Sequence, residues 1–185
     1  MGTMTERRAT DAPDYMRAVA AAYYMRANYN IGTLAFDPFL PMSIAPDLFV
    51  CKYSTFCERH GITRRELLEI AESSDGFTLR RSSEFIIVYN DSPKISEARR
   101  RFTLAHELGH YTLRHRRKTE TEEREADCFA RNLLAPRLLA ITYDIDFPDY
   151  PATFGISAAA ARMCEEKREL DERYLSDLSY TFSDK

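Results

Sequence analysis

The motif His-Glu-x-x-His at residues 106–110 is the feature that most restricts what this chain can be. On a helix, His106 and His110 lie about 40° apart and one turn apart along the axis, so both imidazoles can reach one Zn²⁺ ion. Glu107 lies about 100° round from His106, where its carboxylate can contact a water on that metal without binding the metal itself. The motif therefore predicts a zinc-binding helix with a general base beside it. The same five residues also fit an amphipathic helix that happens to carry two histidines, so the rest of the chain has to decide.

The composition is typical of an ordinary globular protein, and it argues against nucleic-acid binding and against a membrane span. The 185 residues are 44% hydrophobic and 30% charged, enough to bury a core within one domain. The net charge of −3 provides no overall attraction to nucleic acid or to an anionic membrane, so direct nucleic-acid binding is not expected. No run approaches the 18 apolar residues of a membrane span.

The cysteines favour an intracellular protein. Cys51, Cys57, Cys128 and Cys164 form no Cys-x-x-Cys pair and no regular framework. That spacing is typical of reduced thiols and does not fit a zinc finger or a disulfide scaffold. We therefore expect a cytoplasmic location.

The chain divides into a disordered tail at 1–10 and a single domain at 11–185. Within that domain we expect an N-terminal helical part at 11–76 and a catalytic core at 77–165. Asp11 is predicted to cap a first helix that reaches residue 26, followed by an irregular connection at 30–46. Asp47 is predicted to cap a helix ending near His60 and Gly61, and Thr63 with Glu66 forms a capping box for the next.

Two readings of this helix pair stay open. The two helices within 47–73 resemble a helix-turn-helix DNA reader, which would make the protein a DNA-binding regulator. They also fit a plain packing unit in which Arg64 and Arg65 are solvated.

A β-hairpin is predicted immediately before the motif helix. Residues 77–80 and 84–89 are rich in β-branched and aromatic side chains, and the short link between them favours antiparallel pairing. Ser96 can then cap the helix that carries the motif. The hairpin is either purely structural or offers a strand edge to which a substrate backbone can add.

The third metal ligand is predicted from helical angles in the segment 119–134. A catalytic zinc normally has three protein ligands and a water, so a third residue must come from elsewhere in the chain. If the segment is one helix, Glu123 and Asp127 share a face, whereas Glu122 lies to one side and Glu125 points roughly backward. Glu123 is therefore the predicted third ligand. Asp127, one turn on, is predicted to accept a hydrogen bond from the free ring N–H of His106.

A simpler explanation exists for these acids. Glu122 and Glu123 suit any helix N-terminus because of the helix dipole, and Asp127 would then be solvated. Because the helix with the His-Glu-x-x-His motif lies 12 residues earlier in the chain, we favour the metal site as the explanation for these acids.

The two motifs together resemble the ImmA/IrrE family of metallopeptidases. The resemblance is carried by RFTLAHELGHY at 101–111 and by Glu-x-x-Ala-Asp-x-Phe-Ala-x-x-Leu-Leu-x-Pro at 123–136, and it extends over about 77–165. It implies an α+β fold, a mainly helical zincin-like metallopeptidase domain with a small antiparallel sheet before the motif helix. Relatives often have Met where this chain has Ala135, a change that we expect to affect packing and to leave the chemistry intact.

The resemblance also implies a class of substrate. Similar proteins cleave helix-turn-helix transcriptional repressors in mobile-element induction or stress responses. We therefore expect a zinc-dependent endopeptidase with that kind of partner. A non-catalytic protein that uses the zinc fold only to hold a partner is the remaining alternative, and the intact base Glu107 argues against it.

The third-ligand prediction also separates this chain from the metzincins. Their longer motif needs a third histidine that His115 misses by one residue, and position 113 is Leu instead of Gly. His115 is expected in a loop, with a role toward the substrate or transition state left open. Tyr111, Tyr143 and His115 are all candidates to stabilise the oxyanion, and none is assigned.

Overall fold

A computed structural model of the chain describes residues 12–29, 32–71, 73–81, 84–117 and 119–183. The tail predicted at 1–10 and the cap predicted at Asp11 lie outside these residues. Over these residues the fold is α+β, as predicted, with many helices and a small three-stranded sheet. The helices are α1 (Tyr15–Tyr29), α2 (Phe39–Ile44), α3 (Tyr53–His60), α4 (Arg64–Ile70), α5 (Glu97–Thr112), α6 (Glu120–Leu134), α7 (Arg137–Thr142), α8 (Tyr150–Phe154), α9 (Ala158–Glu166) and α10 (Arg168–Ser183). A single 3₁₀ turn covers Phe147–Asp149.

The sheet consists of three strands, β1 (Leu48–Lys52), β2 (Gly76–Arg81) and β3 (Glu84–Tyr89). Their order across the sheet is β1-β3-β2. Strands β2 and β3 form the predicted antiparallel hairpin, in which Gly76 pairs with Tyr89. Strand β1 runs parallel to β3 on its other side, with Leu48 opposite Phe85. β2 is therefore an edge strand of this sheet.

Strand β1 corrects one prediction. The helix expected from Asp47 to His60 is wrong over 48–52, where the chain pairs with β3, and α3 begins only at Tyr53. A short apolar run such as 48–51 has no periodicity that separates a strand from a helix, and the available partner strand decides. The end of α3 is as predicted, because Gly61 adopts a left-handed conformation with φ of 64°. The capping box of Thr63 and Glu66 is also confirmed.

The two faces of β3 divide the core. Phe85, Ile87 and Tyr89 contribute to the large cluster that also contains residues of α5 and α6. Val88 points the other way, into a smaller cluster that contains Tyr53 of α3 and Leu67 of α4. The sheet therefore separates the α3–α4 pair from the helices that carry the motif residues.

Helix α6 lies at the centre of the large cluster, in contact with α5 on one side and with α1 on another. Its buried Arg131 donates to both carboxylate oxygens of Asp171 in α10, at 3.1 and 2.7 Å. The last helical stretch of the chain is interrupted at Lys167, which separates α9 from α10. The Ser157 side chain caps α9 by accepting from the Ala160 N–H. No helix in the described part of the chain is long and apolar enough to cross a bilayer.

Candidate metal centre

Helix α5 places the two motif histidines on one face. The Ser96 side chain caps its first turn by accepting from the Arg99 N–H, as predicted, and the helix runs without interruption to Thr112. His106 Nε2 and His110 Nε2 consequently lie 3.0 Å apart.

Glu123 reaches the same point from helix α6. Its carboxylate oxygens lie 3.2 Å from His106 Nε2 and 3.4 Å from His110 Nε2. One ligand atom from each of the three residues lies within 4.8 Å of the others. Helix α6 starts with the capping box of Thr119 and Glu122, and the carboxylate of the neighbouring Glu123 faces α5.

This donor set fits a zinc ion. Two imidazole nitrogens and one carboxylate oxygen are the ligands of one common class of catalytic zinc site. Zinc–ligand distances of about 2.0–2.1 Å in a tetrahedron place the ligand atoms roughly 3.3 Å apart. The separations found here are close to that requirement: His106 Nε2 lies 3.2 Å from Glu123 Oε2, His110 Nε2 lies 3.4 Å from Glu123 Oε1, and the two Nε2 atoms lie 3.0 Å apart. The structure thus brings together the three residues predicted as ligands.

Asp127 lies one turn further along α6, on the same face as Glu123. Its Oδ1 accepts a hydrogen bond from His106 Nδ1 at 2.8 Å, the contact expected from the sequence. Burial lowers the pKa of His106, but the hydrogen bonds to Asp127 and Glu123 outweigh it and raise this pKa to about 9. In the metal-free protein the two carboxylates therefore favour a protonated His106, whose proton a metal must displace.

Glu107 is buried and points toward the sheet. The Thr78 hydroxyl of edge strand β2 donates to its Oε2. Both His106 and Glu107 line a cleft of about 500 Å³. The other residues that line this cleft are Ser73, Asp75, Gly76, Phe102, Thr103, Glu123 and Asp127. The cleft is thus bounded by the beginning of β2 on one side and by α5 and α6 on the other.

The three oxyanion candidates do not belong to the described lining of this cleft. The Tyr111 hydroxyl donates to Asp47 Oδ1 at the end of the sheet. The Tyr143 side chain is exposed to solvent. His115 lies in the loop after α5, as expected, but it is buried against His110 and does not line this cleft.

The sequence did not reveal how His115 and Glu125 contact the site. His115 Nδ1 lies 2.9 Å from His110 Nδ1, and His115 Nε2 lies 2.9 Å from Glu125 Oε2. A left-handed residue makes this possible: Arg114 has φ of 56°, and the His115 N–H returns to the His110 carbonyl. Glycine is the usual residue in that position after a helix, so an arginine there provided no sequence signal.

Comparison with known proteins agrees with the geometry. A family model described as the IrrE N-terminal-like domain of the peptidase family M78 matches residues 57–163, which is more than half of the chain. A search among curated proteins gives no match.

Proposed function

The chain belongs to the IrrE N-terminal-like family of metallopeptidases, and on that basis we propose that it is a zinc-dependent endopeptidase that cleaves a helix-turn-helix transcriptional repressor. The observation that carries the zinc assignment is the convergence of His106, His110 and Glu123 from two helices. The nature of the substrate is supported by the resemblance of the two motifs to the ImmA/IrrE proteins. We further propose that residues 11–185 form one domain, with 77–165 as its catalytic core.

The proposed roles follow from the positions of the side chains. His106, His110 and Glu123 hold the metal. Asp127 orients the His106 ring by accepting a hydrogen bond from the Nδ1–H of that ring. Zinc, when bound there, would lower the pKa of the attacking water and polarise the peptide carbonyl. Glu107 accepts the proton of that water and passes it to the leaving amine. The Thr78 hydroxyl holds the Glu107 carboxylate at the wall of the cleft.

The edge strand β2 is the proposed docking site for the substrate backbone. Its outer edge is not paired with a described strand, and its residue Thr78 contacts the base directly. An extended peptide that adds to this edge would run along the cleft wall, so that the scissile bond comes close to Glu107. This arrangement requires an unfolded or locally opened segment of the repressor.

The rival reading as a DNA-binding regulator receives no specific support. Leu67 of α4 and Tyr53 of α3 are buried against the back of the sheet, which gives the helix pair a packing role. Arg65 pairs with Glu69 on the same helix, and Arg64 is held by Asp91. We propose a cytoplasmic location because all four cysteines carry free thiols.

The test of the proposed function is the cleavage of a cognate repressor. The zinc-loaded protein is incubated with a candidate helix-turn-helix repressor, and any cut is mapped by mass spectrometry. Glu107→Gln should retain zinc and lose cleavage by at least about 100-fold, in line with the loss of a general base. Glu97→Gln is a matched control, since Glu97 is an exposed acid at the start of the same helix. Equal cleavage by the wild type and Glu107→Gln would remove Glu107 from the mechanism.

A further inference from the structure

His110 has a buried partner on the side away from Glu123. Its Nδ1 lies 2.9 Å from His115 Nδ1, and both rings are at least nine-tenths buried. Two ring nitrogens at this distance share one proton, so one of them must donate and the other must accept.

The metal-facing nitrogen decides the direction of this hydrogen bond. His110 directs Nε2 toward Glu123 and His106, and a nitrogen that binds a metal carries no proton. The proton of a neutral His110 ring is then on Nδ1, which donates to His115 Nδ1. His115 in turn carries its own proton on Nε2.

Glu125 is placed to enforce that direction. Its Oε2 lies 2.9 Å from His115 Nε2, and a carboxylate can only accept. The opposite arrangement, in which His115 donates to His110, would direct a lone pair of His115 Nε2 at the carboxylate. It would also put the His110 proton on the nitrogen that faces the metal.

The second oxygen of Glu125 is also in use. Oε1 accepts from the Asp14 N–H at 2.7 Å, just before helix α1. The carboxylate therefore meets a donor on each oxygen, and its side chain is only 9% exposed. Hydrogen bonds in such a water-poor position are stronger than at the surface.

We propose that His115 and Glu125 are positioning residues that fix the tautomer and orientation of His110 for metal binding. The inference rests on the proposed function to the extent that His110 is a metal ligand. Glu125 would then do for His110, through His115, what Asp127 does directly for His106. Both ligand histidines are thereby oriented by carboxylates of α6 that approach from different sides.

The decisive variant is Glu125→Gln, which keeps the shape of the side chain. Both contacts of Glu125 need an acceptor, but a glutamine has only one oxygen, so its NH₂ must face either His115 Nε2 or the Asp14 N–H. We expect the Kd for Zn²⁺, measured by competition with a chromophoric chelator, to rise about 10- to 100-fold. Glu120→Gln is the matched control, because Glu120 lies on the same helix, is exposed and pairs only with Arg124 among the described residues.

A spectroscopic readout separates positioning from mere structural support. Long-range ¹H–¹⁵N correlation of the zinc-loaded wild type should show the His115 proton on Nε2 and none on Nδ1. A proton on His115 Nδ1 would overturn the proposal. An unchanged Kd in both Glu125→Gln and His115→Leu would overturn it as well.

Variants of His115 keep the test valid if Glu125→Gln does not fold. His115→Asn retains an acceptor near the position of Nδ1, so its Kd should stay within about tenfold of the wild type, whereas His115→Leu should lose about 10- to 100-fold. Equal Kd values for the two variants would contradict the proposal. A wild-type protein that does not bind zinc would instead refute the proposed function itself, so the two failures are distinguishable.

Discussion

Replacing Gly109 with alanine tests how closely the metal centre depends on the contact between helices α5 and α6. Gly109 lies between the two histidines of the motif and faces α6. A Cβ atom added there would lie 3.0 Å from Phe129 Cδ1, 3.2 Å from Ala126 Cα and 3.3 Å from the Ala126 carbonyl oxygen. The Phe129 ring can rotate slightly, but the two backbone atoms cannot, so the helices must separate by a few tenths of an ångström.

The expected effects on stability and on metal binding differ in size. Alanine is favoured over glycine within a helix by about 1 kcal/mol. Overpacking of a core costs about 1–3 kcal/mol. The free energy of unfolding should therefore fall by roughly 0–2 kcal/mol, a change that leaves the protein folded. A metal site, by contrast, tolerates ligand displacements of only about 0.2 Å.

Metal affinity is thus the sensitive measurement for Gly109→Ala. His106 and His110 move with α5 while Glu123 stays with α6, so the Kd for Zn²⁺ should rise by about tenfold or more. Chelator competition gives this Kd, and urea unfolding of the metal-free protein gives the stability. An unchanged Kd, together with a large loss of stability, would show that the helix contact supports the fold without setting the ligand geometry.

Two further predictions concern residues next to the site. Thr78→Val keeps the shape of the side chain but removes the hydrogen-bond donor to Glu107. We therefore expect kcat to fall about tenfold, equivalent to about 1.4 kcal/mol, while the Kd for Zn²⁺ is unchanged. A wild-type kcat would show that Glu107 is oriented without Thr78. Tyr111→Phe removes the hydrogen bond that lowers the pKa of Asp47. This hydrogen bond stabilises the fold above the unfolded-state pKa of Asp47, roughly 3.9, and the stabilisation is lost as the pH falls through the folded-state pKa. Thermal unfolding should therefore show a lower midpoint for Tyr111→Phe at pH 7 and a smaller difference from the wild type as the pH falls below about 4, and a difference that does not shrink would contradict this.

Much of the candidate site could be predicted because the positions of its side chains follow from helical geometry. His106 and His110 are one turn apart on α5, and Glu123 and Asp127 are one turn apart on α6. Once each segment is helical, the positions of these side chains around the axis follow from the 3.6-residue period alone. The caps at Ser96 and Thr63 were predictable for the same reason, since a cap depends on residues within one turn.

Strand β1 could not be predicted in that way. Its pairing with β3 is parallel and joins residues 37 positions apart, such as Leu48 and Phe85. The local pattern of 48–52 contains no trace of that partner, and the capping preference of Asp47 favoured a helix. In the structure the Asp47 side chain instead accepts a hydrogen bond from the Tyr111 hydroxyl, and this contact connects the end of α5 to the sheet.

The pair His115 and Glu125 shows where angular reasoning is correct and still insufficient. Glu125 does point away from the face of α6 that carries Glu123, as its angle requires, and on that ground it is not a metal ligand. The left-handed turn at Arg114 folds the chain back so that His115 lies between His110 and Glu125. A carboxylate on the far side of α6 thus comes within one imidazole ring of His110, a proposed metal ligand. In the proposed metal site, helix α6 contributes one ligand and both carboxylates that orient the other two, so it determines the chemistry of that site as much as the motif helix does.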